Sequence, residues 1–98
     1  MPDKSYSDLD AYPELAYGKE IKVLSWNLWW KFENYLDRQK LIFNELLILN
    51  PDILCLQEVW EDSDGSQAKK IADLFGYEYT YSKSFEIDGV SFGNAIIS

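Results

Sequence analysis

Asn27 and Glu58 close two apolar runs of the sequence, and both carry side-chain oxygen. An amide oxygen and a carboxylate are hard donors, suited to Mg²⁺, Mn²⁺ or Ca²⁺ rather than to a soft metal. Mg²⁺ commonly takes only one or two protein carboxylates and completes its shell with water and substrate phosphate. The same residue types also close strands by capping free backbone groups, so the pair alone leaves both roles open. Other chemistries are excluded more firmly. The chain has no His, which removes Ser-His and Cys-His catalysis and His-based zinc sites from it. Its single cysteine, Cys55, forms no intrachain disulfide and reads as a small core hydrophobe in a reducing compartment, so a cytoplasmic protein is expected.

The elements that would position the pair follow from the hydropathy pattern. Residues 21–27 form a mostly apolar run expected to be a strand covered on both faces. Residues 28–34 are aromatic-rich and irregular, hence a loop. From 36 to 49 the pattern is helical: Ile42, Leu46 and Leu49 recur at spacings of four and three, and Leu41, Phe43 and Leu47 widen the stripe. Asn34 or Asp37 is placed to cap its start, and Asn50-Pro51 ends it. Residues 53–58 form a second apolar strand, so 21–58 reads as one βαβ unit. If its strands are parallel, their carboxyl ends share one edge, where ligands of such sheets bind. Asn27 and Glu58 then meet there.

Beyond Glu58, the acidic residues Glu61, Asp62 and Asp64 read as a solvated loop. A second helix is expected over 67–75, with Ala68, Ile71, Ala72 and Phe75 on one face, Ser66 as its cap and Gly76 at its exit. Tyr77, Tyr79 and Tyr81 alternate with polar residues as in a half-buried strand. Residues 85–89 read as a turn region and 94–98 as the start of another apolar strand. Residues 1–18 lack periodicity and read as a loose leader, leaving 19–98 as one partial domain. No apolar stretch approaches a membrane span.

Leu24-Ser25-Trp26-Asn27, then Asn50-Pro51-Asp52 and Leu56-Gln57-Glu58-Val59-Trp60, closely resemble the first two motifs of the endonuclease/exonuclease/phosphatase superfamily. Arg38 and the Gly93-Asn94-Ala95-Ile96-Ile97-Ser98 ending fit the same pattern. The resemblance spans about 21–98 and is similar to bacterial members around Trp26-Asn27-Leu28-Trp29-Trp30. It implies an α/β fold, the N-terminal half of a four-layer α/β sandwich, truncated before the second half. It also implies that Asn27 and Glu58 hold a catalytic divalent metal, Mg²⁺ or alternatively Mn²⁺. The later Asp, Asn and Asp-His motifs of that family have no counterpart here.

The expectation is therefore the N-terminal part of a metal-dependent phosphoester hydrolase, a phosphodiesterase, nuclease or phosphatase, inactive by itself. Its partner would be a phosphoester, nucleic acid or small, although a net charge of −8 is a poor match for a phosphate backbone. The alternative is a non-catalytic α/β module binding a metal or a protein. A nucleotide-binding domain is disfavoured because no glycine-rich phosphate loop follows either strand. Gln57 is expected to pack beside the site. Trp29 and Trp30 are expected to pack in the core or anchor their loop, with lining a substrate pocket or stacking on a base as the alternative. Arg38 is expected to make a structural ion pair rather than clamp a phosphate.

Overall fold

The computed structural model describes residues 20–98, and the expected leader lies outside the described residues. Strand β1 (Val23–Asn27) leads to helix α1 (Tyr35–Leu49) and strand β2 (Ile53–Asp62). The short β3 (Gly65–Ser66), helix α2 (Gln67–Phe75), β4 (Tyr79–Ile87) and β5 (Val90–Ile97) follow. One mixed sheet has the order β1-β2-β5-β4, with β3 paired to β2. The expected βαβ unit is present: β1 and β2 are parallel and in register, from Val23 opposite Ile53 to Asn27 opposite Gln57. Strand β5 pairs antiparallel to both β2 and β4.

Both helices pack on one face of the sheet. Ile42 and Leu46 of α1 and Ala68, Ile71 and Ala72 of α2 meet Leu54, Leu56, Val59, Ala95 and Ile97 in one core. Full burial of each Leu or Ile there contributes about 1.5–3 kcal/mol. The other face is open. Val23 and Ile96 on it are 62% and 56% exposed, so the first strand is covered on one face rather than two. Its side chains alternate half-buried and exposed, the period-two pattern of a one-sided sheet. Cys55 is only half-buried for the same reason.

Helix α1 ends as expected. Asn50 takes the left-handed conformation (φ 48°) and donates its N–H to the Leu46 carbonyl, and Pro51 prevents continuation. Its start differs. Asn34 stands at the cap position but is itself left-handed and makes no side-chain cap bond. Leu41 and Leu47 are exposed rather than part of the buried stripe. Helix α2 fits its sequence: Ser66 accepts from the Lys69 N–H at 3.1 Å, and Gly76 provides the left-handed exit at φ 69°.

Three boundaries move. Strand β2 runs on through Glu61 and Asp62, so these residues pair in the sheet instead of forming a solvated loop. Residues 85–87 belong to β4, and the turn shrinks to Asp88-Gly89 before β5 begins at Val90. The last two shifts are consequences of the long β4–β5 hairpin, whose cross-strand pairing overrides the weak local signal. Among the described residues no helix is long and apolar enough to cross a membrane.

Candidate metal centre

Strand parity alone would send Glu58 into the core, on the face of Leu54 and Leu56. A β-bulge prevents this. Leu56 faces Ala95 and Val59 faces Gly93, so Gln57 and Glu58 together oppose Asn94 alone. Glu58 adopts φ 51°, a left-handed conformation that costs a non-glycine residue about 1–2 kcal/mol. Bulges of this kind re-aim a side chain. Here Val59 returns to the core, fully buried, while Glu58 stays half-exposed at the end of the parallel pair.

Asn27 meets it there. Its amide nitrogen donates to a Glu58 carboxylate oxygen at 2.6 Å, and its amide oxygen accepts the Trp29 N–H at 2.9 Å. Gln57 turns aside to the Ser25 hydroxyl (3.2 Å) and the Cys55 carbonyl (3.0 Å), the neighbouring role expected of it.

The loop after Asn27 is built around the same bulge. Leu28 N–H donates to the Gln57 carbonyl at 2.9 Å and Trp30 N–H to the Glu58 carbonyl at 2.8 Å. Trp29 and Trp30 both have positive φ, 60° and 49°. Arg38 holds this strained path. Its guanidinium donates to the carbonyls of Leu28, Trp29, Trp30, Phe32 and Glu33, at 2.7–3.3 Å, and lies over the Trp29 ring. The expected ion pair is absent among the described residues; each guanidinium nitrogen bonds backbone carbonyls of the loop instead.

Lys31 fastens the loop on its other side. It bonds Asp62 at 2.5 Å and the exposed Asp64 at 3.3 Å, and sits over the rings of Trp60 and Tyr35. Burial pushes the Asp62 carboxyl upward, but the Lys31 bond and the N–H groups of Asp64 and Gly65 outweigh it and hold it below its usual value. Burial likewise opposes the Lys31 charge, and its bonds to Asp62 and Asp64 raise it above the usual lysine value.

Trp29 is half-exposed, with the Arg38 guanidinium over its ring. Trp30 stacks on Phe92 and bonds the Ser91 carbonyl through its indole N–H. Residue types gave no sign of the partners Phe92, Phe85 and Ser84, which reach this edge through β-pairing alone. Asn94 lines a cavity with Glu58.

The sequence model described as the endonuclease/exonuclease/phosphatase family matches residues 24–98. Two solved structures share the fold. An endonuclease/exonuclease/phosphatase family protein from Leptotrichia buccalis C-1013-b aligns over 81% of this chain and 37% of its own, with TM-score 0.66 and 16% identity. An endonuclease/exonuclease/phosphatase from Beutenbergia cavernae DSM 12333 aligns over 80% and 25%, with TM-score 0.57 and 20% identity. The chain thus spans well under half the length of each. None of the curated proteins matches it.

Proposed function

We propose, since this chain belongs to the endonuclease/exonuclease/phosphatase family, that Asn27 and Glu58 hold the divalent metal of a phosphoester hydrolase. The observation that carries this reading is their 2.6 Å contact at the carboxyl ends of two parallel strands.

The donor set fits Mg²⁺, with Mn²⁺ as the alternative. It offers one carboxylate and one amide, and Glu58 pairs with no Lys or Arg among the described residues. Among the described residues, no three His, Cys, Asp or Glu side chains cluster to enclose an ion. The pair is therefore an open half-site, leaving positions for water and substrate phosphate. When bound, the ion supplies Lewis acidity toward a phosphoryl oxygen and the charge that builds on it.

The residues of this chain divide the remaining work. Glu58 presents the negative charge that holds the cation. Asn27 orients that carboxylate through its amide N–H, while the Trp29 bond fixes the amide plane. Ligation through its oxygen requires the amide to turn over and give up the Trp29 bond. Arg38 fixes the loop that supplies Trp29. With no His in the chain, no imidazole is at hand to take a proton from an attacking water. We therefore infer that these 98 residues do not turn over by themselves. A cytoplasmic setting belongs to the same proposal, in keeping with a cysteine left as free thiol.

The test is hydrolysis of nucleic-acid and small phosphoesters by the full-length protein, with and without Mg²⁺ or Mn²⁺, against Glu58→Ala. Metal-dependent turnover lost in the variant is expected. Turnover that ignores both metal and Glu58 would place the chemistry elsewhere and leave this chain a binding module.

A further inference from the structure

Strand β5 is flanked by bulges on both sides at the same level. In β2, Gln57 and Glu58 oppose Asn94. In β4, Lys83 faces Gly93 and Phe85 faces Phe92, so Ser84 is the extra residue. Each bulge bends its strand. Together they open a cavity of about 110 Å³ lined by Glu58, Ser84, Phe85, Phe92, Gly93 and Asn94.

One wall of this cavity belongs to a stack of parallel rings. Trp30 lies on Phe92 with centroids 3.8 Å apart and planes 16° apart, and Phe92 lies on Phe85 at 4.6 Å and 16°. The stack is fixed at its Trp30 end, where the indole N–H donates to the Ser91 carbonyl at 2.8 Å and Phe32 packs edge-on. At its other end Phe85 is 52% exposed. Such a row invites continuation by another flat π-system, because each added ring keeps the offset-stacked geometry. Glu58 and Phe85 line the same small cavity, so the exposed end of the row and the carboxylate are neighbours.

We propose that this cavity is a nucleobase subsite: a nucleotide stacks its base on the Phe85 end of the Trp30–Phe92–Phe85 row and sets its phosphate toward Asn27 and Glu58. The phosphate half of this statement rests on the metal-site reading above; the stacking half does not. Ser84 and Asn94 add a hydroxyl and an amide to the cavity wall, the polar complement that a base edge requires. Sugar and inositol phosphates have no π-face to place there. A net charge of −8 disfavours a long polyanion, so the unit recognised is a single nucleotide, free or terminal, rather than a duplex.

The experiment measures binding to the full-length protein by calorimetry with and without Mg²⁺, using adenosine, adenosine 5′-monophosphate, ribose 5-phosphate and phosphatidylcholine vesicles. The monophosphate should bind more tightly than ribose 5-phosphate. Phe85→Ala should weaken the monophosphate and adenosine by about 5- to 150-fold, the range of one base–aromatic stack. It should leave ribose 5-phosphate unchanged, and Phe85→Trp should restore binding. Equal affinities for the monophosphate and ribose 5-phosphate would overturn the subsite while leaving the phosphoester reading intact. Adenosine binding that depends on Phe85, with no Mg²⁺-dependent response to either phosphate, would uphold the subsite and remove the metal reading. Phe85-dependent binding to phosphatidylcholine vesicles, with none to adenosine, would make the rings a membrane contact and overturn the proposal.

Discussion

The amide nitrogen of Asn27 and a carboxylate oxygen of Glu58 lie 2.6 Å apart across 31 positions of sequence. Parallel pairing brings the two strand ends together, and the bulge at Glu58 turns its side chain away from the core toward Asn27. If the pair holds the metal, removing Asn27 frees the Glu58 carboxylate to rotate without removing the charge. Asn27→Ala should then weaken Mg²⁺ affinity by about 10- to 100-fold, the range seen when a ligand's orienting partner is lost. Glu58→Gln should weaken it further. Mg²⁺ and Mn²⁺ titration of the full-length protein reads both, and equal affinity in all three proteins would remove the metal from this edge.

Arg38 bonds five backbone carbonyls of the loop that carries Trp29 and Trp30. Lysine keeps the charge but loses the planar fork that reaches several acceptors at once. Arg38→Lys should cost about 2–3 kcal/mol, the scale of losing one or two hydrogen bonds to a charged donor. Urea unfolding gives the number, and the indole fluorescence of Trp30 should shift as its stack on Phe92 loosens. A variant of unchanged stability would show that the loop holds itself.

Lys31 contacts two carboxylates of unequal burial: the Asp62 side chain is 7% exposed and that of Asp64 73%. Removing the buried partner strands a charge, at about 3–5 kcal/mol, whereas the exposed one contributes about 0–1 kcal/mol. Asp62→Ala should therefore destabilise far more than Asp64→Ala. The pH dependence has a definite sign. The folded Asp62 carboxyl lies below its usual 3.8, so the stability it contributes is present above that pH and lost as pH falls through the lower folded value. Lys31 is raised above 10.5, so its contribution holds below that pH and fades only above it. Acid unfolding of Asp62→Asn should begin from lower stability and fall less steeply below about pH 4.

Much of this architecture is legible in the residues, because it depends on local pattern. The 67–75 helix, its Ser66 cap and its Gly76 exit follow from spacing and capping chemistry, and the parallel pair follows from strand–helix–strand order. What escaped depends on pairing partners distant in sequence. At period two, Leu54 and Leu56 predict that residue 58 points into the core. Only the mismatch with β5 shows that the strand bulges there. The broken alternation Leu56, Gln57, Glu58, Val59 was the available signal. The charge of Arg38 points to an ion pair, but its acceptors are carbonyls, which every residue possesses and no residue type signals. Phe85-Glu86-Ile87 continues the odd-position alternation of Tyr79 and Tyr81, but Lys83 interrupts it beside the Asp88-Gly89 turn, and only pairing with 90–92 completes the strand.

Gly93 is the point on which both bulges converge, and it allows no side chain. A Cβ built there would meet the Ser82 carbonyl oxygen at 2.3 Å and the Tyr81 ring at 2.7 Å. The carbonyl belongs to the neighbouring strand's backbone and cannot swing away. The Tyr81 ring is held by its hydroxyl, paired with the Ser91 hydroxyl at 2.6 Å and with the Val59 carbonyl at 3.3 Å. Gly93→Ala must therefore push β4 away from β5, at about 1–3 kcal/mol for an overpacked methyl group. It should also distort the cavity that Glu58 and Phe85 share. Tyr81→Phe keeps the ring and removes only the hydroxyl, at about 0.5–1.5 kcal/mol. Thermal unfolding should rank Gly93→Ala below Tyr81→Phe and both below the parent. A Gly93→Ala protein as stable as the parent would mean that β4 has room to move, and that the two bulges are not locked together through this residue.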